Sequence, residues 1–177
     1  LIRAPTEDSY LLLTDFYLIK AKRLSDVNSY AKALELLERR EFFCSTEGHR
    51  QALLKCAEAA PSHQERHQLY EKLSRSLQEQ EPFCAKVWFF QGLNHFEEGL
   101  KSQKNQALDT MNLQLEQAAK AFSKALELEK TINPKQAAVI LKYQTLAYAL
   151  QQPVQTQQAW QTIHQLINNP AFLSTVE

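Results

Sequence analysis

The sequence predicts an all-α protein, and three observations carry that prediction. Glycine occurs only 3 times in 177 residues, far below the usual ~7%. Leu, at 26, outnumbers Val plus Ile, at 11, a balance that favours helices over strands. No Asn-Gly or Asp-Gly pair, the strongest short signal for a β-hairpin, occurs anywhere.

Each helix has its own local warrant. Pro5-Thr6-Glu7-Asp8 reads as a start, with Thr6 as cap and acids in the first turn. The helix that follows, to about Arg23, is apolar nearly all round: Tyr10, Leu13, Tyr17, Ala21 and Leu24 share one face, Leu12, Phe16 and Ile19 a second, Leu11 and Leu18 a third. Such a helix is expected to be covered on several sides, either because it is central or because an upstream segment packs on it. Ser25-Asp26 caps a second helix to about Phe42, with Val27, Tyr30, Leu34 and Leu37 inward. A third spans Thr46 to Ala59, with Ala52, Leu53 and Cys56 inward. Ser62 followed by Glu65 is a capping-box start for a fourth, with Leu69, Tyr70, Leu73 and Leu77 inward, ending before Pro82.

The fifth helix, Pro82 to Leu100, is rich in bulk: Val87, Trp88, Phe89, Phe90, Leu93 and Phe96. A polar break near Lys101–Lys104 separates it from the sixth, where Leu108, Met111, Leu115, Ala118, Phe122 and Ala125 keep three/four spacing. Asn133-Pro134 restarts the chain into a seventh helix, Gln136 to Gln151, and Pro153 into an eighth, Thr156 to Asn168. Seven Gln crowd residues 151–165, but Ala159, Trp160, Ile163, Leu166 and Ile167 interleave them at helical spacing. We therefore read a helix with a neutral polar face, a solubilising cap at the end of the array, rather than a low-complexity linker.

Eight helices pair into four antiparallel hairpins within a single repeat domain over 1–177. Hairpin starts near residues 7, 46, 83 and 135 are set at repeat-like spacings until the last interval, which is longer by close to four helical turns. The third hairpin is thus expected to be elongated and to protrude. Because the chain begins at Leu1 without an initiator Met, we expect a fragment or a processed chain.

At this point the residues resemble the tetratricopeptide repeat, a two-helix unit marked by Trp-x2-Leu-Gly-x2-Tyr, Ala-x3-Phe and a closing Pro. Trp88-x3-Gly92 followed by Ala118-x3-Phe122-x2-Ala125 carries the identities. Tyr143-x2-Leu146-Ala147-x2-Leu150 followed by Ala159-x3-Ile163-x2-Leu166 carries the length. Gln91 stands where Leu is usual, and Pro134 comes late. The likeness covers roughly residues 83–170. It implies a right-handed α-α superhelix whose first helices line a concave groove, with Lys86, Phe89, Leu93 and Phe96 from the fifth helix and Leu141, Gln144, Tyr148 and Gln151 from the seventh. Family members that clamp a C-terminal carboxylate use Lys and Asn there. Phe89 and Leu93 make that clamp absent and the groove apolar and Gln-lined, suited to an amphipathic helix or an extended segment. Packing of Phe89, Leu93 and Phe96 against neighbouring helices is the competing reading.

Little in the sequence recommends chemistry. Lys+Arg and Asp+Glu balance at 20 each, which removes the electrostatic drive toward nucleic acid or an anionic membrane, and no apolar run is long enough to cross a bilayer. Lys20, Lys22 and Arg23 suit a helix C-terminus. Cys44, Cys56 and Cys84 are odd in number without a Cys-x-x-Cys pair, so neither a disulfide framework nor structural zinc is expected, and a reducing, cytoplasmic setting follows. His63 and His67 lie four apart without the His-Glu-x-x-His order of zinc proteases, and His95 and His164 stand alone. The acid pairs Glu7-Asp8 and Glu97-Glu98 read as first-turn or solvated acids, and no glycine-rich phosphate loop or Gly-x-Ser-x-Gly elbow exists. We expect no enzyme, no cofactor and no metal. The function expected is a non-catalytic scaffold or adaptor that binds a protein or peptide partner. A secretion or assembly chaperone for one client, or the sensor domain of a larger regulator, are the alternatives, and the oligomeric state is left open.

Overall fold

The computed structural model describes residues 6–39, 46–76, 82–129, 134–151 and 155–169. Among them it is all-helical, with eight helices and no strand. These are α1 (Glu7–Leu24), α2 (Val27–Arg39), α3 (Thr46–Ala59), α4 (His63–Ser76), α5 (Pro82–Lys104), α6 (Leu108–Glu129), α7 (Pro134–Ala149) and α8 (Thr156–Ile167). The chain divides into two compact units, Leu1–Leu73 and Ser74–Glu177.

The starts follow the local signals. Thr6 Oγ1 accepts the Ser9 N–H at 3.4 Å. Asp26 receives the Asn28 and Ser29 N–H groups at 3.0 and 3.3 Å and the Ser29 hydroxyl at 2.6 Å. These bonds, the Ser29 hydroxyl foremost, hold the Asp26 carboxyl below the usual carboxylate range. Ser62 and Glu65 form the reciprocal capping box, Glu65 N–H to Ser62 Oγ at 3.2 Å and Ser62 N–H to Glu65 Oε2 at 3.3 Å.

In the first unit α3 seats against both helices of the α1–α2 pair. The buried residues there include Leu18, Ala21, Tyr30, Ala33, Leu37, Ala52, Leu53 and Cys56, and Tyr70 and Leu73 of α4 are buried as well. Leu77 and Cys44 lie outside the described residues, as does the expected extension of α2 to Phe42. Of the two expectations for α1, a central position in this chain is not met. Its Leu18 face is buried, but Leu12, Phe16 and Ile19 are 71%, 59% and 54% exposed. Val27, expected inward on α2, is exposed as well.

In the second unit the sequence break is displaced. The polar stretch Lys101–Lys104 continues α5, and the chain turns at Asn105–Ala107, where Gln106 takes φ 59°. Lys and Gln are good helix formers, so polarity alone did not end the helix. The third hairpin is elongated, and the extra length is shared: α5 has 23 residues and α6 22, against 16 in α7 and 12 in α8. Gln144 of α7 meets Ser123 of α6, and only residues 130–133 join those helices. The surplus of α6 over α7, roughly 9 Å at 1.5 Å per residue, therefore extends at the α5–α6 turn, where Leu108 and Leu113 are exposed.

At the heart of this hairpin Gly92 meets the buried Phe122, and a methyl group on Gly92 would lie 2.5 Å from that ring. Met111, Leu115, Ala118, Phe122 and Ala125 fill the seam as their spacing predicts. α7 seats against both α5 and α6, inserting Tyr143 among Phe89, Phe96 and Phe122 with ring centroids 5.8–6.0 Å apart. α8 packs on α7 through Ala159 and Thr162. Trp160, expected in the apolar stripe, is 58% exposed, and Ile167 is exposed too, so the last helix is less polar outside than a solubilising cap requires.

Candidate functional site

Among the eight residues that the repeat resemblance implies for a groove, internal packing takes half. Phe96, Leu141, Gln144 and Gln151 are buried. Phe89 and Leu93 are half-buried against the α5–α6–α7 core. The Lys86 ammonium lies 5.9 Å over the Phe90 ring in an exposed position. Tyr148 is half-buried and reaches a cleft. The residues of α5 and α7 are therefore not gathered on one open surface.

What the second unit offers instead is a cleft of about 220 Å³ between α6, α7 and α8. Ser123 and Glu127 come from α6, Gln144 and Tyr148 from α7, and Gln158, Gln161, Thr162 and Gln165 from α8. Hydrogen bonds beneath it pin the three helices. Ser123 Oγ donates to the Ala119 carbonyl at 3.0 Å, and Gln144 Nε2 donates to Ser123 Oγ at 2.6 Å. Thr145 Oγ1 donates to Thr162 Oγ1 at 3.0 Å, tying α7 to α8.

That chain of donors orients one amide. A hydroxyl has a single proton, and Ser123 gives its proton to Ala119, so Gln144 must turn its NH₂ toward Ser123. The Gln144 carbonyl oxygen is left buried and without a hydrogen-bond partner among the described residues. Buried polar atoms rarely stay unpaired, and Gln144 is one of the amide side chains that line the cleft. Glu127 is the one charged residue among its lining side chains. The sequence pointed to Gln144 and Tyr148, but the α8 contribution was hidden because Gln158, Gln161 and Gln165 looked like a solvated face.

A second concavity, about 240 Å³, lies within the first unit between α2, α3 and α4. Leu34, Leu37, Leu53 and Leu69 wall it, with Glu38, His49, Glu65 and Lys72 at its edge. The hydroxyl of the buried Tyr30, which also lines it, has no partner among the described residues.

Other chemistry-bearing residues are engaged in structure. Cys56 is fully buried, and burial, with a smaller push from Asp15, drives its thiol up to about 12. It is the opposite of an activated nucleophile. Cys84 is buried and unbridged. The His63 and His67 rings stack 6.3 Å apart, and His67 Nε2 lies 3.7 Å from Glu71. No group of three His, Cys, Asp or Glu side chains suited to a metal ion gathers among the described residues. His95 Nδ1 is 2.8 Å from Gln114 Oε1 across the α5–α6 seam, and His164 lies beside Trp160. No helix among the described residues is long and apolar enough to cross a membrane.

Comparison of the chain with protein-family models, with curated proteins and with solved structures gives no match. The site must be read from its own chemistry.

Proposed function

We propose that the chain is a non-catalytic interaction scaffold of tetratricopeptide-like hairpins, and that its amide-lined cleft takes an extended segment of a partner protein. The observation that carries the reading is the lining of the cleft, where Gln144, Gln158, Gln161 and Gln165 stand with Ser123, Tyr148 and Thr162, and the Gln144 amide is fixed by its bond to Ser123. An extended peptide supplies free backbone N–H groups, whereas the interior of a helix has spent its own. The glutamines of α8 add both donors and acceptors at fixed spacing along one face, which suits a peptide backbone. Glu127 favours a segment that carries a basic residue.

The repeat reading draws support from a recurring packing rule. In each unit the third helix seats against both helices of the preceding pair, α3 on α1–α2 and α7 on α5–α6. Successive hairpins that bury their stripes this way are how helical repeats extend. The close Gly92–Phe122 approach falls at the small and large positions of the family's pattern.

The test is selection from a displayed library of short peptides on the intact chain, followed by binding measurements on variants. Gln158→Ala/Gln161→Ala/Gln165→Ala alters three exposed side chains, and Tyr148→Asp places a charge in the cleft. Both are expected to weaken selected peptides at least tenfold, or about 1.4 kcal/mol. Trp160→Ala, on the opposite side of α8 by helical spacing, is expected to leave them unchanged. Retention of every selected peptide by both folded cleft variants contradicts the proposal.

A further inference from the structure

The first helix carries a surface that neither the cleft nor the packing explains. Asp8, Leu12, Phe16, Ile19 and Arg23 recur at four- and three-residue intervals, which puts them on one face of α1, and all five are exposed. Single exposed apolar residues are ordinary, but three large ones exposed in line form a patch that marks an interface. The charges at its ends add a direction: Asp8 stands at the N-terminal end, and Lys20 and Arg23 at the C-terminal end.

We propose that two copies of the chain pair through this face, with their α1 helices antiparallel about a two-fold axis between Asp15 and Phe16. The axis position is set by the sequence, since the pairs Asp8–Arg23 and Leu12–Ile19 are both centred on that point. Antiparallel pairing brings each Arg23 to the partner's Asp8, each Leu12 to the partner's Ile19, and the two Phe16 rings together at the centre. The same stripe serves both copies, as a closed two-fold contact demands. A parallel pairing would set Asp8 against Asp8 and Arg23 against Arg23, a repulsion that disfavours it. Antiparallel helices also place opposite ends of their dipoles side by side. Between α1 and α3 a cleft of about 300 Å³, lined in part by Leu18 and Ile19, gives an opposing side chain a recess. From Asp8 to Arg23 the seam is about 22 Å long, which puts the pair among weak, reversible dimers dissociating in the micromolar range.

Sedimentation velocity across the micromolar range tests this on the intact chain. The wild type is expected to shift from monomer to dimer with concentration, and Phe16→Asp to remain monomeric with an unchanged circular dichroism spectrum. Asp8→Arg alone and Arg23→Asp alone are each expected to weaken pairing roughly tenfold. An equimolar mixture of those two single variants restores it, because each repulsive pair becomes attractive in the mixed dimer. If Phe16→Asp fails to fold, the charge-reversal mixture carries the test by itself. A wild type that stays monomeric overturns the proposal, whether that face is left bare or met by another partner. So does a dimer that survives in folded Phe16→Asp, or a mixture that regains nothing.

Discussion

Burial controls the residues most easily mistaken for chemistry. Cys56 and Tyr30 sit together in the first unit, each neutral when protonated, and burial raises both: Cys56 from 9.0 to about 12, and Tyr30 upward from 10.0, with smaller pushes from Cys56 and Glu65. Above pH 9 the unfolded chain releases these protons while the folded chain retains them, so the folded state binds more protons. Stability then falls as pH rises. Their contribution is complete below about pH 9 and is lost toward pH 12, with a slope that approaches 1.4 kcal/mol per pH unit for each group, to order of magnitude. Denaturant titrations at a series of alkaline pH values are expected to show that decline, and Tyr30→Phe to make it shallower. The same substitution is expected to be neutral or stabilising at pH 7, because the hydroxyl it deletes is buried without a partner among the described residues. A loss of several kcal/mol would mean that the hydroxyl is bonded after all.

The α5–α6 hairpin shows how much an element owes to one close contact. Gly92→Ala would drive a methyl into the fully buried Phe122 ring, and overpacking of this kind costs about 1–3 kcal/mol. Phe122→Leu opens space at the same point. The double variant is expected to lose less than the sum of the two singles in urea unfolding, while strict additivity would mean that the residues do not share the seam. This seam was legible in the sequence, since Gly92 and the Met111-to-Ala125 ladder follow spacing alone. The caps at Thr6, Asp26 and Ser62 were legible for the same reason, as their bonds reach only two or three residues. The turn was not, because Gln106 adopts a positive φ that is usually signalled by Gly or Asn. Nor was the exposure of Leu12, Phe16 and Trp160. Periodicity tells which residues share a face, whereas tertiary neighbours decide whether that face is covered.

Across the whole molecule the same rule of packing operates in both units, a third helix laid against a preceding pair, yet the two units expose different surfaces. The first presents an apolar stripe with charged ends, the second a cleft of amides with Glu127 in its wall. Of the groove set implied by the repeat resemblance, Phe96 is buried and Phe89 half-buried against Tyr143, a contact that spans too many residues to be read from spacing. The cleft could be foreseen only at Gln144 and Tyr148, since its other wall comes from α8. The central claim is that this cleft receives a protein segment, and NMR of the glutamine side-chain amides tests it most directly. During titration with a peptide selected on the intact chain, the Gln144, Gln158 and Gln161 NH₂ resonances are expected to shift in a saturable way. Shifts confined to α1 or to the α2–α4 cavity, with the Gln144 amide unmoved at saturation, would contradict the account.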